Sequence, residues 1–132
     1  MATYAAATSD AYKQQSILTA PPGRLLVMLY DGCIRFLFQS AYAMREGNKG
    51  QSLDRMRRAE AIIDELRVTL DHERGGDIAS NLDAIYGFSR SHLLKAWTEQ
   101  DPAKIEEVSG LMSDLREAWS EIAAAGEPAA TA

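Results

Sequence analysis

Apolar residues fall in four long stretches at helical spacing, each bounded by residues that break helices. In the first, from about Pro22 to Arg45, the apolar positions cover most of the circumference: Leu25, Leu26, Val27, Leu29, Tyr30, Cys33, Ile34, Phe36, Leu37, Phe38, Ala41 and Met44. Arg24, Asp31, Arg35, Gln39 and Glu46 fall on one narrow polar stripe, which Met28 and Tyr42 interrupt. A surface helix usually presents an apolar face a little over 100° wide, and this one offers roughly twice that. It is expected to sit at the centre of a bundle or to keep a flank for a partner.

Gly47-Asn48-Lys49-Gly50 is a turn cluster. The second helix is expected over Gln51–Arg74, with a seam of Leu53, Met56, Ala59, Ile63, Leu66 and Leu70 and a mixed-charge face towards water. Gly75-Gly76 should end it, and Asp77 should cap the third helix. That helix has a seam of Ile78, Leu82, Ile85, Tyr86, Ser89, Leu93, Ala96 and Trp97, with Phe88 and Leu94 off it. Asp101-Pro102 opens the fourth helix, whose seam is Ile105, Val108, Met112, Leu115, Trp119 and Ile122. Gly126 and Pro128 are expected to stop it. Short connections make successive helices antiparallel. The expected fold is all-α: an antiparallel up-down four-helix bundle over residues 21–125, with a flexible arm over 1–20 and a disordered tail over 126–132. There is no strand pattern and no internal repeat.

Composition supports the helical reading. The chain has 21 Ala and 13 Leu against 3 Val, so strong helix formers dominate and β-branched residues are scarce. The net charge of −5 argues against general nucleic-acid binding. Residues 99–127 carry eight acids and two bases, so the acidity belongs to the fourth helix and its approach. The single cysteine, Cys33, allows no internal disulfide and suits a reducing compartment. The start MATYAAATSDAYKQQ lacks the basic region and apolar run of a signal peptide. The longest apolar run, Leu25 to Tyr30, falls far short of the roughly 20 residues that span a bilayer. A cytoplasmic, soluble protein without membrane insertion is expected.

The sequence offers little for catalysis. Di-iron bundles need inward Glu-x-x-His pairs, and neither His72 nor His92 has a Glu three residues before it. His72 should be solvated; His92 should be packed or half exposed, with no carboxylate or cysteine partner evident. Cys33 reads as a small buried hydrophobe. No Walker-type glycine loop is present. The cluster Arg55, Arg57 and Arg58 is interleaved with Asp54 and Glu60 and lacks stacking aromatics. Gly32, in mid-helix, fits either close packing or a functional need. No enzyme activity, metal or cofactor is expected. What remains is surplus apolar surface on the first helix and an arm that carries a few large apolar groups, which together suggest partner binding.

Tyr12…Ile17-Leu18-Thr19-Ala20-x-Pro22, then Leu25 to Met28 and Leu29-Tyr30-Asp31-Gly32-Cys33-Ile34-x-Phe36-Leu37, form a recognisable pattern. Asn81-Leu82-x-x-Ile85-Tyr86, Glu106-Glu107-Val108 and Leu115-Arg116-Glu117-Ala118-Trp119 extend it. In these residues the chain resembles the FliS family of flagellar export chaperones. Pro21 stands where that family has serine, Gly23 and Arg24 stand in place of acids, and Cys33 in place of alanine. The resemblance implies a cytoplasmic chaperone for the C-terminal segment of flagellin. It would prevent premature polymerisation and assist delivery to the export gate of the flagellar type III apparatus; other flagellar regulators are further partners to consider. The arm would lie in the client groove until displaced. Candidate partner-binding residues are Tyr12, Ile17 and Leu18 on the arm, Val27, Ile34 and Phe38 on the rim of the first helix, and Val68, Phe88 and Leu94 off the later seams. The alternative is a generic helical adaptor that binds a flagellar regulator through the same groove.

Overall fold

The computed structural model describes residues 22–131, with side chains described over 23–124. The expected arm, with Tyr12, Ile17 and Leu18, lies outside the described residues. Four helices follow one another: α1 Pro22–Arg45, α2 Lys49–Val68, α3 His72–Glu99 and α4 Pro102–Thr131. Among the described residues there is no strand. The all-α four-helix bundle is therefore as the periodicity predicts.

Each start has a local cause. Asn48 accepts from the Gln51 amide at 3.1 Å and caps α2. Asp101 accepts from the Ala103 amide at 3.0 Å, and Pro102 takes the first position of α4. The α2–α3 junction departs from expectation. α2 ends at Val68 rather than near Arg74, and Asp71 rather than Asp77 caps the next helix, accepting from the Arg74 amide at 3.1 Å. One turn later Gly76 leaves helical geometry at φ 48° and ψ −121°, a region that side chains other than hydrogen disfavour. The glycine pair thus breaks a helix already begun instead of ending the one before. α4 also runs past Gly126 and Pro128 to Thr131. Alanines on both sides, at 123–125 and 129–130, favour the helix enough to carry it through the expected stop and the expected tail.

α1 packs most closely against α2 and α4; α3 touches the same two helices more sparsely and lies diagonally across from α1. Small residues let α1 and α2 approach. The Cys33 thiol meets the Ala59 carbonyl at 3.7 Å. Ser40 and Ser52 exchange hydrogen bonds, each hydroxyl donating to the other's carbonyl, at 2.8 and 2.9 Å. Gly23 serves α1–α4 in the same way, since a Cβ there would stand 2.8 Å from the Ala123 Cβ. Gly32 has no such need: a Cβ would lie 3.4 Å from the Ile62 Cδ1, an ordinary contact.

The core holds Tyr30, Leu37, Met56, Ile63, Leu93, Ile105, Val108 and Met112, all essentially sealed from water. Across the diagonal, the Tyr30 and Tyr86 hydroxyls hydrogen-bond each other, and the Trp119 indole also reaches Tyr30. Desolvation raises both phenols above their ordinary value, so they stay neutral. Burial likewise pushes the Cys33 thiol up to about 12, which makes it inert.

Candidate functional site

Two expected core residues stand in water. Ile78 is 68% exposed and Ile122 is 59% exposed. Ile78 stands on the lip of an open pocket of about 330 Å³ at the end of the bundle where α2 turns into α3. Leu26 of α1, Leu66 and Leu70, Leu82 and Tyr86 of α3, and Trp119 of α4 line it, with Asp71 and Arg74 at its polar edge. All four helices contribute because α3 stands off from α1, leaving the core open at this end. Sequence reasoning placed these residues on seams and so missed the pocket. The signal it could have used is the concentration of Leu66, Leu70 and Ile78 around the Asp71 cap and the glycine pair, where the seams must separate.

A second depression, about 450 Å³, follows the α2–α3 groove. Its apolar part is Leu53, Met56, Trp97 and Leu94, the last 65% exposed. Its charged part is a set of cross-helix ion pairs. Arg90 pairs with Glu60 and, at 2.9 Å, with Asp64; Arg67 reaches Asp83 at 2.7 Å. Burial raises the Glu60 carboxyl against the pull of Arg90, while the Arg67 hydrogen bond lowers Asp83. On the other flank of α3, Phe88 stacks on His92 with ring centroids 5.0 Å apart, and His92 pairs with Glu107 of α4. His92 therefore does have a carboxylate partner, brought from a distant part of the chain. His72 is exposed as expected.

The sequence-selected residues do not converge on one patch. Val27 is half-buried beside Ser120 and Ala123. Ile34 packs partly against the core. Phe38, expected on the rim, is 69% exposed on the outermost stripe of α1, and Gln39, expected there, is half-buried with its Oε1 sealed from water. The outer stripe steps by 3.5 residues on average, as bundle helices do, rather than 3.6, which moves the exposed position back by one. Val68 is 81% exposed at the end of α2, and Phe88 and Leu94 lie on opposite flanks of α3. The surface surplus thus belongs to α3 and the bundle end as much as to α1.

Among the described residues no group of three or more His, Cys, Asp or Glu stands ready to hold a metal ion, and no helix is long and apolar enough to cross a membrane. What the geometry offers is an apolar pocket at one end of the bundle and a separate apolar, ion-rimmed groove between α2 and α3, each suited to an apolar side chain of a peptide segment.

Comparison with known proteins agrees in kind. A family model described as "Flagellar protein FliS" matches residues 4–126. The flagellar secretion chaperone FliS of Salmonella typhimurium is 38% identical over 127 residues, covering 90% of this chain and 92% of that protein. FliS of Bacillus subtilis is 33% identical over 111 residues, covering 84% and 82%. FliSB of Pseudomonas aeruginosa is 34% identical over 123 residues, covering 90% and 98%.

Proposed function

The chain belongs to the FliS family of flagellar secretion chaperones, and on that premise we propose that it binds the disordered C-terminal segment of flagellin in the cytoplasm. It keeps that segment from polymerising and hands the subunit to the flagellar type III export apparatus. It acts by binding alone, not as an enzyme.

The observation that carries this reading is the open pocket under Tyr86 and Trp119, with Ile78 exposed at its lip. A soluble bundle gains nothing from leaving such a pocket unfilled. An amphipathic segment that folds on binding fills it with one apolar anchor and lays further ones along α3 towards Leu94 or Phe88, in the manner of a helix or strand docked in a groove. Burial supplies about 25 cal/mol per Å². Ordering the client takes back on the order of 2–5 kcal/mol, so the complex is selective and releasable.

Calorimetric titration with a flagellin C-terminal peptide tests the reading. Binding at about 1 µM or tighter, with a negative heat-capacity change, is expected. Ile78→Asp, at an exposed position, should weaken it at least about tenfold without unfolding the bundle. Binding weaker than high micromolar, or indifference to Ile78→Asp, would sink this assignment.

A further inference from the structure

The paired phenols beneath the pocket carry one more hydrogen than they use. Tyr30 is wholly buried and Tyr86 is 2% exposed, and their hydroxyls hydrogen-bond each other. Each hydroxyl brings one hydrogen, and the single bond between them employs one. No other acceptor among the described residues takes the second. The Trp119 indole, within reach of the Tyr30 oxygen, is a donor only and relieves neither phenol. Tyr86 lines the pocket and Tyr30 does not. Helix side chains lean towards the N-terminus of their own helix. For Tyr86 that is the pocket end, since Ile78, Ala79 and Leu82 on earlier turns of α3 line the same pocket.

We propose that the Tyr86 hydroxyl determines specificity in this pocket, by donating to the side-chain oxygen of a serine or threonine that anchors the client segment. Only the identity of the segment rests on the client reading above; the pocket's preference for an acceptor does not. An occupant that expels water from the pocket must accept the spare hydrogen or bury it unmatched. With an acceptor in place the donors run in one direction: indole N–H to Tyr30, Tyr30 to Tyr86, Tyr86 to the occupant. Each bond then polarises the next. The walls narrow the class of acceptor. Leu26, Leu66 and Leu82 give a carboxylate nothing in return for its lost water, and Arg74, at the polar edge, is 92% exposed and stays solvated. A carboxamide brings N–H groups that these walls cannot match, and so does a backbone amide. A hydroxyl on a helical segment avoids both penalties. It donates to a carbonyl three or four residues earlier in its own helix and keeps its oxygen free to accept. Threonine adds a methyl group for the leucines. A purely apolar anchor fills the same space with about tenfold weaker affinity.

Two ring probes test the pocket of the full chain without any client. Cyclohexanone and chlorocyclohexane are similar in size, and only the ketone accepts a hydrogen bond well. Their dissociation constants are read from the methyl signals of Ile78 and Leu82. Tyr86→Phe should shift their ratio about tenfold in favour of the chloride. Tyr30→Phe disturbs the same pair but keeps the Tyr86 hydrogen, so it should move the ratio less than about twofold. Each Thr of the flagellin C-terminal peptide is then replaced by Val, and each Ser by Ala. One replacement should weaken binding to the native chain about tenfold, and binding to Tyr86→Phe less than about twofold. A peptide that fails to bind while the probes respond removes the client reading and leaves the pocket's chemistry standing. The proposal is overturned by probes that leave both methyl signals unmoved, or by a ratio indifferent to Tyr86→Phe. Equal shifts in the two tyrosine variants, or a binding peptide with no such Ser or Thr, overturn it as well.

Discussion

At the scale of single residues, polar atoms inside this bundle are few, and nearly all are matched. The Tyr30–Tyr86 pair matters most because it ties together the two helices that lie diagonally across the core. The two phenols are not equivalent. Tyr30 has the Trp119 indole within reach as well as its bond to Tyr86, whereas Tyr86 leans on Tyr30. Tyr30→Phe leaves a buried hydroxyl without a partner and should cost about 1–3 kcal/mol. Tyr86→Phe leaves the Tyr30 hydroxyl with the indole still within reach and should cost about 1 kcal/mol or less. Urea unfolding of both variants and of the double variant checks this; the double variant should lose less than the sum, since both unmatched hydroxyls are then gone. Gly110 offers a contrasting case. A Cβ there meets nothing within 4 Å, so Gly110→Ala should raise stability by about 0.5–1 kcal/mol in the same assay.

At the scale of helices, the α2–α3 junction decides where the pocket opens. Gly76 holds a backbone geometry that alanine resists, so Gly76→Ala should destabilise by about 1–3 kcal/mol. It should also move the lip at Ile78, weakening client binding more than a distant change of equal stability effect; melting curves and titration on the same protein separate the two. Helix number and the middles of the seams were legible in the sequence because a period of three and four is a strong signal over many turns. Buried Met56, Ala59 and Ile63, Tyr86 and Leu93, and Ile105, Val108 and Met112 all lie where that period puts them. The junction was not legible, because Asp71 and Asp77 are equally good caps and only packing chooses between them. Nor was the pocket, because Leu26, Leu82 and Tyr86 have the same pattern whether a seam is closed or open. The exchange of Phe38 and Gln39 arose from a tenth of a residue per turn, accumulated along α1.

For the whole molecule, charge acts mainly through α3. Arg67–Asp83 and Arg90–Asp64 tie α3 to α2, and His92–Glu107 ties it to α4. Arg45–Glu106 ties α1 to α4. Hydrogen bonds from Arg67, Lys104, Arg45 and Arg58 lower Asp83, Asp101, Glu106 and Asp54 respectively. A carboxylate lowered in the folded state stabilises that state above its unfolded pKa, near 4. The contribution fades as pH falls through the lowered folded value. Glu60, raised by burial, acts in the opposite sense, and is outnumbered. The melting temperature should therefore decline as pH is taken from about 5 towards 2, and about 1 M salt should shrink that decline by screening the exposed pairs. Calorimetric scans across pH at two salt concentrations check both.

The reciprocal bonds between Ser40 and Ser52 have a consequence for time as well as for strength. Where two helices lie this close, water reaches their amides only when the hairpin comes apart. Deuterium should therefore enter the α1 and α2 amides around these serines last, at the rate of complete unfolding. The sparsely held α3 should take it up earlier, through openings that leave the first hairpin intact. A chaperone so divided keeps a permanent half and a yielding half in one small chain.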